Sequence, residues 1–107
     1  MLYPSTVFIG NSGKQYLYWI YEIGEKTGSN PANYVFVKET KPGWYEPVFI
    51  GQSSNIKGEV FENHPKWQCI LRNQPTQICV RKSSKNEAER VAEVNDLVQK
   101  YKPDCNE

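Results

Sequence analysis

The sequence predicts an α+β domain, a small mixed or antiparallel sheet flanked by two or three helices. Three observations predict it. Short runs of aromatic and β-branched residues alternate with turn residues at hairpin spacing. The last quarter of the chain carries an apolar stripe at steps of three and four, which is the period of a helix. At 107 residues and 12.4 kDa the chain is the size of one domain with one core, so residues 1–107 are read as a single unit.

Residues 1–14 hold Pro4, Gly10, Asn11 and Gly13, a turn-rich composition that predicts a lead-in segment with one short extended piece at Thr6 to Ile9. Tyr16 to Ile23 is dense in aromatic and β-branched residues and predicts a strand. Gly24 to Pro31 breaks it. Asn33 to Lys38 resumes strand chemistry up to a turn at Lys41-Pro42-Gly43, and Val48-Phe49-Ile50 then forms the second arm of a hairpin. Ser53-Ser54-Asn55 offers N-cap oxygens to a short helix through Ile56, Val60 and Phe61, weakened by Gly58 and ended by His64-Pro65. Trp67 to Arg72 fits a short helix or a strand. Thr76 to Arg81 alternates polar and apolar like a half-buried strand. Ser84-Lys85-Asn86-Glu87 has the form of a capping box, and Val91, Val94, Val98 and Tyr101 recur at helical spacing until Pro103.

Composition narrows the function. Thirteen Lys and Arg against twelve Asp and Glu leave a net charge of +1, so a nucleic-acid face must be local rather than global. Apolar residues at 38% and aromatics at 13% suit a packed domain and are too sparse for a membrane span. Cys69, Cys79 and Cys105 are odd in number and lack CxxC spacing, which predicts reduced, buried thiols rather than a disulfide framework or a cysteine-built zinc site. The first residues show no basic region followed by an apolar run, so the expected compartment is the cytoplasm.

Three patterns in order resemble the GIY-YIG nuclease superfamily, above all its small single-domain bacterial members. Ala32-Asn33-Tyr34 resembles the first motif, where Gly-x-Tyr is usual, and Phe49-Ile50-Gly51-Gln52-Ser53 resembles the second, where Tyr-Ile-Gly is usual. Asn55-Ile56, His64, Trp67, the strand Ile78 to Arg81, the helix from Glu89-Arg90 through Asp96 to Val98, and Pro103-Asp104-Cys105-Asn106 follow in the order of that family. The resemblance spans roughly residues 15–106.

In active members the resemblance implies metal-assisted hydrolysis of a phosphodiester. A tyrosine helps to activate water, an arginine neutralises phosphate charge, and a glutamate holds a divalent ion. Tyr34 keeps the first-motif hydroxyl. Phe49 stands where the second tyrosine is usual and has no hydroxyl. Glu59 takes the place of the arginine and reverses its charge, and Val94 takes the place of the glutamate and offers no oxygen to a cation. Ala32 replaces the first-motif glycine, and Asn63 sits where a histidine is common. His64 and Glu93 each lie one residue from an expected position, but one helical residue is a turn of about 100°, which aims Glu93 away from the face of Val94.

The implied function is therefore a GIY-YIG-like domain that has lost nuclease activity and works by binding. The alternative is a divalent-metal-dependent endonuclease using Tyr34, His64 and Glu93, with Mg2+ or Mn2+ as cofactor only in that case. No metal ligand set or small-molecule cofactor is otherwise expected. His64 is the one histidine, and its spacing to Cys69 matches no common zinc motif. Two partner classes stand open, neither of them a membrane. Lys66, Trp67, Arg72, Arg81, Lys82 and Lys85 offer a basic and aromatic patch for nucleic acid, or ordinary surface charge around a core tryptophan. Tyr16, Tyr18, Trp19 and Tyr21 put aromatics on both faces of one strand, as in a protein interface or a buried sheet.

Overall fold

A computed structural model describes residues 4–25, 28, 30–56, 64–82 and 86–107. Five strands form one sheet: β1 (Ser5–Ile9), β2 (Gln15–Glu22), β3 (Ala32–Lys41), β4 (Trp44–Ser53) and β5 (Gln77–Lys82). All pairings are antiparallel and the order is β1-β2-β5-β3-β4. Helices α1 (Trp67–Arg72) and α2 (Glu87–Tyr101) and a 3-10 turn (Asp104–Asn106) complete the described elements. The architecture is α+β, as expected from the sequence, with the sheet wholly antiparallel.

Two hairpins build the sheet, and β5 joins them. In the first, Gly10 donates its N–H to the Lys14 carbonyl at 2.9 Å, and Gly13 turns the chain at φ +89°. Gly10 has a second constraint, because a Cβ there would lie 2.0 Å from Oδ2 of Asp96. The segment read as a lead-in thus supplies a fully paired edge strand. The extended piece expected at Thr6 to Ile9 is this strand, and what the sequence left open was its pairing with β2. In the second hairpin, Gly43 takes φ +80° in the expected turn and donates its N–H to the Glu39 carboxylate at 3.1 Å. A bulge between Phe36 and Val37 bends this ladder.

Alternation sends the residues of each strand to opposite faces. Tyr21, Ala32, Tyr34, Phe36, Ile78 and Val80 pack under Ile70 of α1 and Cys105 of the 3-10 turn. Phe8, Tyr18, Ile20, Val35, Val37, Ile50 and Cys79 pack under Leu97 of α2, with Val94, Val98 and Tyr101 half-buried beside it. The helical stripe is therefore shifted from the expected one. Val91 is 37% exposed, whereas Arg90 and Leu97 are the residues that α2 buries.

The start of α2 is also displaced from the capping box read at Ser84. Asn86 is the N-cap, and its side chain accepts from the Glu89 N–H at 2.9 Å. Glu87 and Glu89 in the first turn and Lys100 in the last match the helix dipole, and Lys102 ends the helix at φ +48° before Pro103. Trp67 to Arg72, which fitted either structure, is helical. Of the helix expected after Ser53, Ile56 is fully buried, and the positions from 57 to 63 lie outside the described residues.

The cysteines differ from the expectation of free thiols. Cys69 of α1 and Cys105 of the 3-10 turn are joined by a disulfide, with Cα atoms 5.7 Å apart, while Cys79 is free and buried. Burial pushes the Cys79 thiol up to about 12. Sequence spacing cannot reveal a bond closed across 36 positions by tertiary packing.

Candidate functional site

Tyr34, Phe49 and His64 come together on the α1 side of the sheet. Tyr34 of β3 lies opposite Gly51 of β4, and a Cβ at Gly51 would stand 2.8 Å from the Tyr34 hydroxyl oxygen and 2.7 Å from the Phe49 ring. The bare glycine is what lets the phenol lie across β4. The Tyr34 oxygen is 2.6 Å from Nε2 of His64. Nδ1 of His64 accepts the Lys66 N–H at 2.9 Å, which assigns the ring proton to Nε2 and makes the phenol oxygen its acceptor. Phe49 meets the imidazole edge-on at 4.7 Å. Tyr34 is 4% and His64 7% exposed, and burial lowers the His64 pKa below its ordinary value. The pair is a neutral hydrogen bond set among aromatic rings in the core.

Of the remaining nuclease-type positions that are described, Val94 and Glu93 do not join it. Val94 packs on the α2 side, across the full thickness of the sheet from Tyr34. Glu93 lies on that same far side, turned to β2 and β5. Glu59 and Asn63 lie outside the described residues. Ala32 is fully buried on the Tyr34 side.

Under α2 lies a polar network that the sequence reading did not anticipate. Glu93 accepts from the Tyr18 hydroxyl at 2.7 Å and from Nε of Arg81 at 3.1 Å, and the Arg81 guanidinium lies over the Tyr16 ring. Asp96 accepts from the Tyr16 hydroxyl at 2.8 Å, from the Ser12 hydroxyl at 2.6 Å and from the Ser12 N–H at 2.8 Å. Burial, reinforced by Glu93, raises the Tyr18 pKa. Burial and the Asp96 carboxylate push Tyr16 up to about 12. Hydrogen bonds from Ser12 and Tyr16 hold Asp96 below the ordinary carboxylate value. Phenols kept protonated and carboxylates already supplied with donors make a tie between helix and sheet, not a proton shuttle. A cleft of about 360 Å3 beside it is lined by Ser12, Lys14, Tyr16, Arg90, Glu93 and Asp96, among others. The signal available in the sequence was Arg90, Glu93 and Leu97 at helical spacing, which puts two charges on the buried face.

The basic set is divided between the two faces. Arg81 belongs to the α2 side and is engaged by Glu93. Trp67 is packed on Phe36 at 5.8 Å on the α1 side, and Lys66 donates through Nζ to the Glu107 carbonyl at 3.0 Å. Arg72 ends α1 and Lys82 ends β5, both exposed. Lys85 lies outside the described residues. Among the described residues, the sheet therefore sets Arg81 apart from Lys66 and Trp67.

One large apolar feature faces solvent. Val7, Ile9, Leu17 and Trp19 point to the same face as Tyr21 and Val80, but α1 and the 3-10 turn cover only the β3–β5 half of that face. Val7 is therefore 47%, Ile9 43%, Leu17 41% and Trp19 42% exposed. Register makes them contiguous, since Val7 pairs with Leu17, and Trp19 lies between Ser5 and Val80. Of the aromatics on β2, Tyr18 and Tyr21 are buried and Trp19 is open.

Among the described residues no three His, Cys, Asp or Glu side chains gather as a metal site, and no helix is long and apolar enough to cross a membrane. No protein-family model, no curated protein and no solved structure matches this chain.

Proposed function

We propose that this domain is a protein-binding module whose docking surface is the open β1–β2 half of the sheet. One observation carries the reading: on the β1–β2 half of the sheet, four large apolar side chains are contiguous and each more than 40% exposed. The ordered motifs resembling the GIY-YIG superfamily support a GIY-YIG-like reading of the fold, with the nuclease positions degenerate. Phe49 lacks a hydroxyl, Val94 lacks an oxygen, and Val94 stands across the sheet from Tyr34. Separation of Arg81 from Lys66 and Trp67 by the sheet favours a protein partner over nucleic acid.

Quantitative affinity capture with the wild-type protein, Trp19→Glu and Trp44→Glu tests the reading. Trp44, 65% exposed at the far hairpin, is the control. The expected result is a partner at near-stoichiometric yield that Trp19→Glu loses and Trp44→Glu retains. Equal recovery on all three baits would overturn it.

A further inference from the structure

The two edges of the sheet are finished differently. On β4, Pro47 has no N–H, the bulge opposite Phe36 and Val37 interrupts the ladder, and Glu46 adds a charge. The Asn106 side chain then closes the edge at Ile50, accepting its N–H at 2.8 Å and donating to its carbonyl at 2.7 Å. The other edge, β1, reads Ser-Thr-Val-Phe-Ile, with no charge, no proline and no bulge.

Hydrogen bonds at both ends of β1 fix which of its backbone groups point outward. The Pro4 carbonyl accepts from the Ile20 N–H at 2.8 Å, and the Gly10 N–H donates to Lys14 at 2.9 Å. By antiparallel alternation Thr6 and Phe8 turn their backbone groups to β2, and Ser5, Val7 and Ile9 turn theirs away from it. The Ile9 N–H is closed by the Tyr101 hydroxyl at 3.1 Å. Among the described residues the Val7 N–H and carbonyl have no partner, and Val7 also begins the open apolar stripe.

We infer that β1 takes an added strand: an extended, uncharged segment of a partner protein, apolar at alternate positions, pairs with Ser5 and Val7. This rests on the reading of the open face as the docking surface. Charge is excluded from the segment because the edge it meets offers no counter-charge and sits beside Leu17 and Trp19. A second copy of this chain fits less well. Side-by-side pairing would leave Leu17 and Trp19 uncovered, short of the roughly 800 Å2 per partner of a stable dimer.

The test pans a display library of random peptides against the intact protein and measures the selected peptides on Val7→Pro, Val7→Ala and Trp19→Glu. Proline at 7 deletes only an outward N–H and leaves the β1–β2 ladder its bonds. The expected result is uncharged peptides with alternating apolar residues, weakened about tenfold by Val7→Pro and less than threefold by Val7→Ala. On the wild-type protein, amide exchange at Val7 should slow when such a peptide is added, a readout that does not depend on any variant folding. Unslowed exchange, equal binding by Val7→Pro, or no enriched peptide would overturn the strand pairing. So would a dimer in solution that Val7→Pro disperses, since the occupant would then be a second copy. Peptides lost on Trp19→Glu but indifferent to Val7→Pro would leave the open-face reading standing and sink only the strand. Indifference to both would sink both.

Discussion

Gly51 and His64 show how much of the α1-side core rests on single atoms. A methyl group at Gly51 meets the Tyr34 oxygen and the Phe49 ring inside contact distance, and both rings are held by neighbours. Gly51→Ala should destabilise the fold by about 1–3 kcal/mol, read as a lower urea midpoint with an unchanged slope. His64 carries a pH dependence whose sign follows from its lowered pKa. The unfolded chain binds the proton near the ordinary value of 6.5 and the folded chain resists it, so the folded state is penalised only below about pH 6.5. Protonating Nδ1 would also set two donors against each other at Lys66. Urea midpoints should therefore fall between pH 7.5 and pH 5, and His64→Gln should flatten that slope. Tyr34 and Phe49 were legible in the sequence as neighbours across a hairpin. His64, grouped with Tyr34 in the alternative nuclease reading, does meet it, but its seat against Phe49 depends on tertiary packing that no local pattern encodes.

Individual elements were more legible than their ends. Strand composition and turn glycines located both arms of the β3–β4 hairpin, and helical spacing located α2. Its cap fell two residues later than the Ser84 pattern implied because Asn86, like Ser84, can accept from the backbone. Asn86→Ala should cost about 1 kcal/mol, measurable by thermal melting. The buried face of α2 was shifted because Arg90 counts as polar in any periodicity, yet here its Nε reaches Gln52 at 3.2 Å while the residue is buried. The 3-10 turn is tied to α1 by the Cys69–Cys105 disulfide and to β4 by the Asn106 side chain. Opening a bond that closes a loop of this length should remove about 4 kcal/mol, so reductant or Cys105→Ser should lower the thermal midpoint while Cys79→Ser changes it little through this route.

For the whole molecule the decisive fact is that the sheet separates two chemistries. Tyr34 and His64 lie on one face, and Arg81, Glu93 and Asp96 on the other, so no arrangement of the described residues lets a tyrosine from the first motif share a phosphate with a carboxylate of α2. The purified protein incubated with plasmid and single-stranded DNA in Mg2+ or Mn2+ should leave both intact. Cutting abolished by Tyr34→Phe would reverse that conclusion. The same separation sets Arg81 apart from Lys66 and Trp67, so any affinity for DNA should be weak and should show a shallow dependence on salt.

The sequence by itself determined the α+β class, the strand-rich first half, the β3–β4 hairpin and the closing helix. Those follow from side-chain period and turn chemistry, which act between neighbours. Tertiary structure alone decided that β5 lies between the hairpins, that Cys69 meets Cys105, and that among the described residues Val7, Ile9, Leu17 and Trp19 stay open on one sheet face. Each depends on which distant segments pack together. That choice is set by the summed burial of two faces at once and leaves no mark on any local window of residues.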